Sequence, residues 1–206
     1  MVTLSAWDRV RGSVPVSLCD WPGRVCSVVF VGGCTLRCPT CHNGALAWHW
    51  RDLPRVERDV WMADLSRRRK WLDGVVLSGG EPTCSPQLPV LLDDLRTLGL
   101  PIKLDSNGTK PEMLVNLLSA GLIDAVAVDV KGPWRLYPQL TGGAWSADAA
   151  RVSLEVLFAL ARDYPGQVAF RCTKVPLLTG ADLEETRAHV PNDLELRWQD
   201  FVPVSG

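Results

Sequence analysis

The sequence predicts an α/β protein assembled from βαβ units, and three observations carry that reading. Six short apolar runs have strand length, five segments between them have helical spacing, and the unusual polar residues fall directly behind the runs. The apolar runs span 25–30, 75–77, 102–104, 125–130, 168–172 and 194–198. All are too short for convincing helices and suit strands buried in a parallel sheet.

The helical segments span 56–72, 87–98 before Gly99, 111–120 before Gly121, 147–164 before Pro165, and 182–189. Glycine or proline at such ends is the expected stop signal. Strands and helices alternate without repeats or low-complexity linkers, and the right-handed crossover rule curls successive units the same way. At 206 residues one domain over 1–206 is expected. A closed eight-stranded barrel needs about 250 residues, so an open doubly wound sheet and an incomplete barrel both fit.

In either architecture the loops at the carboxyl ends of the strands build the site. Behind the first run lies a cysteine loop, behind the second GGEP at 79–82, behind the third DSNG at 105–108, and behind the fourth Asp129 and Lys131. These loops are expected to share one mouth.

Bulk charge excludes some partners. With 22 basic and 23 acidic residues the net charge is -1, which provides no broad field for a nucleic acid or an anionic membrane. The basic run Arg67, Arg68, Arg69 and Lys70 reads as the solvated last turn of a helix, where cations complement the dipole. The first 23 residues lack the apolar core of a secretory signal, and no apolar run approaches the roughly 20 residues of a membrane span. A soluble, cytoplasmic protein is expected. Seven cysteines in a reducing compartment do not suggest a disulfide framework, so a clustered set points to metal binding or catalysis.

That set lies in GGCTLRCPTCHN, where Cys34, Cys38 and Cys41 form C-x-x-x-C-x-x-C. A helical stripe of small apolar residues would use the same offsets, but Gly32, Gly33 and Pro39 oppose a continuous helix. CPTCH alone matches a c-type haem attachment motif, and CPTC a thioredoxin-like pair; both leave Cys34 idle. A Cys3His zinc site would place adjacent Cys41 and His42 on one ion, and His49 and His189 show no pairing pattern. Three thiolates on one tight loop also suit a [4Fe-4S] cluster with one iron left open. Cys19, Cys26, Cys84 and Cys172 stand alone and read as packing residues, with Cys84 close behind GGEP.

The other loops have plain and functional readings side by side. Gly79 and Gly80 allow either a strand-to-helix turn or close approach of backbone to a ligand. Asp105 and Asp129 follow apolar strands, where a carboxylate needs solvent, a partner or a cation. Asp105-Ser106-Asn107-Gly108 is also a strong turn sequence. Lys131 and Arg171 can supply positive charge to a carboxylate or a ribose.

Taken together, C-x-x-x-C-x-x-C behind one strand and GGEP behind the next resemble the radical S-adenosylmethionine superfamily. SLCDWPGRVCSVVFVGGC, KLDSNG, AVDVKGP, YPQLTG and FRCTKVP are similar to the activating enzymes of glycyl radical enzymes, especially the short activators of anaerobic ribonucleotide reductase. The resemblance covers nearly the whole chain. It implies an incomplete (β/α)6 partial TIM barrel with a [4Fe-4S] cluster held by Cys34, Cys38 and Cys41. The open iron would bind S-adenosylmethionine, whose reductive cleavage gives methionine and a 5′-deoxyadenosyl radical that abstracts hydrogen from a glycine of a partner enzyme.

By the same resemblance Gly80 and Glu81 contact the methionine amino group; the charge of Lys131 and Arg171 makes them candidates for the carboxylate or ribose of that ligand. Asp105, Ser106, the Ala127 carbonyl and Asp129 correspond to a monovalent-cation site for Na or K. The implied partners are a glycyl radical enzyme, anaerobic ribonucleotide reductase first, and an electron donor such as flavodoxin or ferredoxin. Ser106 departs from the commoner Thr but keeps the hydroxyl, Cys84 is unusual at its position, and no cysteine-rich insertion suggests a second cluster. His42 then lies beside the cluster as a packing or hydrogen-bonding residue. The alternatives are the activator of another glycyl radical enzyme such as a pyruvate formate-lyase-like protein, a radical enzyme acting on a small molecule or peptide, and a zinc-stabilised binding module.

Overall fold

Residues 5–203 are described in the computed structural model, and their strands are β1 Val10–Ser17, β2 Cys26–Val31, β3 Gly74–Gly79, β4 Ile102–Ser106, β5 Ala125–Asp129, β6 Val168–Lys174 and β7 Leu196–Asp200. The helices are α1 Gly44–Trp48, α2 Arg58–Arg68, α3 Leu88–Arg96, α4 Pro111–Ser119, α5 Tyr137–Leu140, α6 Ala147–Asp163 and α7 Gly180–His189. The six predicted strands are β2 to β7, and the five predicted helices are α2, α3, α4, α6 and α7.

Strand order decides between the two architectures left open by periodicity. The sheet runs β1-β2-β3-β4-β5-β6-β7, in chain order. A doubly wound sheet reverses its strand order at a switch point, and this one does not. The arrangement is that of an incomplete barrel with two open edges. The pairs β2–β3, β3–β4, β5–β6 and β6–β7 are parallel, whereas β1 is antiparallel to β2.

Strand β1 is absent from the sequence expectation, and its composition shows why. VRGSVPVS contains Gly12 and Pro15, and its pairing with β2 is interrupted by two register shifts. Proline and bulges are tolerated at a sheet edge and discourage further strand addition there. The outer side of β1 is also partly covered: the Val56 amide donates to the Val10 carbonyl at 3.3 Å, and the Arg68 guanidinium donates to the Pro15 carbonyl.

The chain divides into two compact units interleaved in sequence, one of 5–34, 43–105 and 116–125, the other of 35–42, 106–115 and 126–203. In the first, Cys26, Val28 and Val76 form a fully buried cluster against Trp21 and Phe30. Helix α3 buries Leu88, Leu91, Leu92 and Leu95, the i, i+3, i+4, i+7 stripe of an amphipathic helix. Each such leucine contributes about 1.5–3 kcal/mol. Asp94 on the same helix accepts from Trp7 Nε1 at 2.8 Å and from Arg58 Nε and Nη2 at 2.8 and 2.9 Å, fixing the start of the chain and α2 to α3.

In the second unit α6 buries Leu154, Leu157, Phe158 and Ala161, and Phe158 meets Phe170 of β6 edge-on at 4.9 Å between ring centres. Ser146 caps α6 by accepting from the Ala149 amide at 3.2 Å, and Thr179 with Asp182 closes a capping box on α7. Among the described residues no helix is long and apolar enough to cross a membrane.

Candidate cofactor site

The first unit holds Cys34, the GGEP turn and Asp105. The chain leaves β2 through Gly32 and Gly33, and leaves β3 through Gly79 and Gly80. These two exits are joined backbone to backbone: the Gly80 amide donates to the Val31 carbonyl at 2.9 Å, and the Glu81 amide to the Gly33 carbonyl at 2.7 Å. Asn43 Nδ2 adds a 2.9 Å bond to the Gly79 carbonyl. A Cβ on Gly80 would lie 2.2 Å from the Gly33 oxygen, and one on Gly79, at φ +121°, would lie 2.5 Å from the Val31 oxygen. The glycines are therefore required by the approach of two loops, beyond any need for turn flexibility.

Glu81 is buried, with 1% of its surface exposed. Its Oε1 accepts from the Thr83 amide at 3.1 Å and the Thr83 hydroxyl at 2.6 Å, which caps the short turn Pro82–Cys84. The side chain thus fixes the path of GGEP. Behind Gly32, Trp50 fills the space that a Cβ would take, and Arg9, Arg11 and Arg51 stack on its indole at 5.1, 5.0 and 4.5 Å.

Asp105, near the end of β4, is also buried. Its Oδ1 is 2.5 Å from Lys103 Nζ, and its Oδ2 accepts from the Ser78 hydroxyl at 3.1 Å. Lys103 Nζ donates further to the Asp20 carbonyl at 2.7 Å. Sequence reasoning missed Lys103 because it sits inside an apolar run. The available signal was its i, i+2 spacing from Asp105, which puts both side chains on one face of the strand.

The second unit holds Cys38, Cys41, Ser106, Ala127, Asp129, Lys131 and Arg171. In the cysteine loop, the Cys41 amide donates to the Cys38 carbonyl at 3.1 Å and the Arg37 amide to the Thr141 carbonyl at 3.0 Å. Gly142 of YPQLTG follows, and a Cβ there would lie 2.2 Å from the Arg37 oxygen. Asn107 Nδ2 reaches the Thr35 hydroxyl at 3.1 Å, while Asn107 Oδ1 accepts from the Thr109 amide and hydroxyl at 3.0 and 2.8 Å. DSNG is the end of β4 and the bend behind it, and through Asn107 it anchors the cysteine loop. The Ser106 hydroxyl accepts from the Gly108 amide at 3.1 Å, and Ala127 lies on β5 in register with Ala169.

Asp129 gathers two cations. Its Oδ2 is 2.8 Å from Lys131 Nζ and its Oδ1 is 2.6 Å from Arg171 Nε, all three side chains keeping about a quarter of their surface exposed (22–27%). Burial pushes the Asp129 carboxyl up, but Arg171 and Lys131 more than offset it and hold the group well below the ordinary carboxylate range. Burial works against the charge of Lys131, and Asp129 more than restores it, raising the ammonium above its usual range. The Lys131 amide donates to the Tyr137 hydroxyl at 3.1 Å.

Burial raises the Cys38 thiol, and the charge of Lys131 opposes that rise. Cys34, Cys38 and Cys41 are half-buried, unlike Cys26 and Cys172, which are buried. The Cys172 thiol is pushed up to about 12 by burial, as a packing residue would be. His42 lies against Phe201, ring centres 5.2 Å apart. Among the described residues no three His, Cys, Asp or Glu side chains gather about one metal ion. A soft donor set of three accessible thiols on one short loop suits a cluster, in which each thiolate takes its own iron.

The family model described as the radical SAM superfamily matches residues 28–190. A protein of Methanocaldococcus jannaschii provisionally named a glycyl-radical enzyme activating enzyme is 30% identical over 196 residues, 94% of this chain and 80% of its own length. An anaerobic ribonucleoside-triphosphate reductase-activating protein of Salmonella typhi is 30% identical over 147 residues, 62% of this chain and 92% of its own. A 7-carboxy-7-deazaguanine synthase of Halobacterium salinarum is 33% identical over 155 residues, 70% of this chain and 56% of its own. The chain belongs to the radical SAM superfamily, on the side of its glycyl-radical enzyme activating enzymes. It is accordingly an oxidoreductase of a family built on a [4Fe-4S] cluster and S-adenosylmethionine, and the zinc-stabilised binding module is set aside.

Proposed function

We propose that Cys34, Cys38 and Cys41 hold the [4Fe-4S] cluster, that the two units act as one radical SAM domain, and that the product is a glycyl radical on anaerobic ribonucleotide reductase. The observation that carries this reading is the interlock of the cysteine loop with GGEP through the Glu81 amide and Gly33 carbonyl, 2.7 Å apart. It joins the loop that supplies Cys34 to the loop assigned to the methionine end of S-adenosylmethionine. Gly80 and Glu81 present backbone to that end, and Lys131 and Arg171, with Asp129 between them, supply charge to its carboxylate or ribose. Bound cluster and S-adenosylmethionine would supply a 5′-deoxyadenosyl radical once reduced by a flavodoxin- or ferredoxin-type donor.

The partner rests on likeness to the Salmonella typhi activator, which this chain matches over nearly that protein's full length. Anaerobic reconstitution should give about four iron and four sulfide per chain. Reduced protein should then form 5′-deoxyadenosine, and alanine at Cys34, Cys38 or Cys41 should abolish it. Added to anaerobic ribonucleotide reductase, the enzyme should produce the glycyl-radical electron paramagnetic resonance doublet. The likeness to 7-carboxy-7-deazaguanine synthase favours a small-molecule substrate as the second reading. S-adenosylmethionine cleavage without any doublet on the reductase would overturn the reductase as partner, leaving another glycyl radical enzyme or that small-molecule reading, and stoichiometric zinc without cleavage would overturn all of them.

A further inference from the structure

Two carboxylates, Asp105 and Asp129, are expected by family resemblance to help hold an alkali-metal ion, and each already carries protein cations. In the first unit Lys103 Nζ lies 2.5 Å from Asp105 Oδ1, with both side chains only 6–7% exposed. The pair is neutral. In the second unit Asp129 is shared by Lys131 and Arg171, so that group carries net positive charge. An alkali ion must shed water to enter a protein site, and it recovers that cost from uncompensated negative charge and hard oxygen donors. A neutral pair and a positive cluster offer it no such charge. The donor set does not fit the ion.

We propose that Lys103 is a tethered cation that takes the place of an alkali-metal ion at Asp105, leaving the protein indifferent to Na or K. The ammonium meets a further oxygen, the Asp20 carbonyl at 2.7 Å, and the same carboxylate accepts from Ser78 at 3.1 Å. One nitrogen therefore contacts a carboxylate and a carbonyl, the oxygen types an alkali ion would use. Being covalently attached, it cannot be diluted away. Lys103 is a positioning residue: it fixes Asp105 and ties the loop carrying Asp20 to β4. The inference rests on the assignment of Asp105 to the S-adenosylmethionine site only for its bearing on catalysis.

The test compares thermal unfolding of the full-length, anaerobically prepared chain in choline, sodium and potassium chlorides at about 0.1 M, where surface charges are screened equally. Wild type should show the same midpoint in all three. Lys103→Ala should melt lower in choline and recover saturably by about 2–4 °C in sodium or potassium, as a newly created ion site would. A merely structural lysine would give the loss without the recovery. Saturable stabilisation of wild type by either ion overturns the proposal, as does a folded Lys103→Ala with equal midpoints in the three salts. Should Lys103→Ala not fold, ²³Na linewidths of wild type decide: no potassium-competed broadening supports the tethered cation, and such broadening refutes it. No readout involves turnover, so failure of the radical assignment would leave these outcomes legible.

Discussion

Replacing Gly80 by alanine places a methyl carbon 2.2 Å from the Gly33 carbonyl oxygen and 2.8 Å from its carbonyl carbon. Both are backbone atoms, so no side-chain rotation relieves the clash, and the two loops must separate. Overpacking of this kind costs about 1–3 kcal/mol, and losing the Glu81–Gly33 hydrogen bond adds roughly 0.5–1.5 kcal/mol. For a chain of this size each kcal/mol moves the melting midpoint by about 2–4 °C, so Gly80→Ala should melt roughly 3–18 °C below wild type. The control is Gly180→Ala at the start of α7, where an added Cβ meets nothing within 4 Å and φ is ordinary. That change should be neutral or stabilising by about 0.4–1 kcal/mol, since alanine loses less chain entropy on folding. Differential scanning calorimetry on both variants, before and after reconstitution, measures the difference. Equal midpoints for Gly80→Ala and wild type would refute the steric argument for the glycines, and with it the interlock as the reason for the motif.

Acid should weaken the second unit through Asp129. Its folded carboxyl sits below the unfolded value of about 3.9, so its contribution is complete above that value and fades as pH falls through the folded pKa; Asp129→Asn should flatten the acid limb of a urea-midpoint series. The same variant leaves Lys131 and Arg171 facing each other and should cost about 1–3 kcal/mol at neutral pH, less than a fully buried pair would. Phe170→Ala removes the ring packed on Phe158 and should cost about 3–5 kcal/mol in equilibrium unfolding. Iodoacetamide at pH 8 should label exposed Cys19 and spare buried Cys26 and Cys172 in the native protein, as read by peptide mass spectrometry.

Much of the architecture was legible because β2 to β5 are largely buried runs with clear punctuation, whereas β7 buries only Leu196 and is marked by little more than its place after α7. Val28 and Val76 are fully buried and read as such. Strand β1 was not legible, because Gly12 and Pro15 interrupt its alternation and an edge strand needs only one neighbour. Helices α1 and α5, of five and four residues, are shorter than any periodic pattern can declare. At the site, the cysteine spacing and GGEP were visible as motifs, whereas the bonds joining the two loops depend on the register of β2 and β3, which sequence does not print. Lys103 illustrates the remaining gap: inside the run 102–104 it resembles a stray charge, and only its contact with Asp105 shows what it does.

The division of the chain has a practical corollary. Cys34 belongs to one compact unit, while Cys38 and Cys41 belong to the other, and each unit is assembled from three separate segments. A fragment confined to either unit would lack at least one thiol of the proposed cluster, so trimming this chain to one unit alone would cost it the motif.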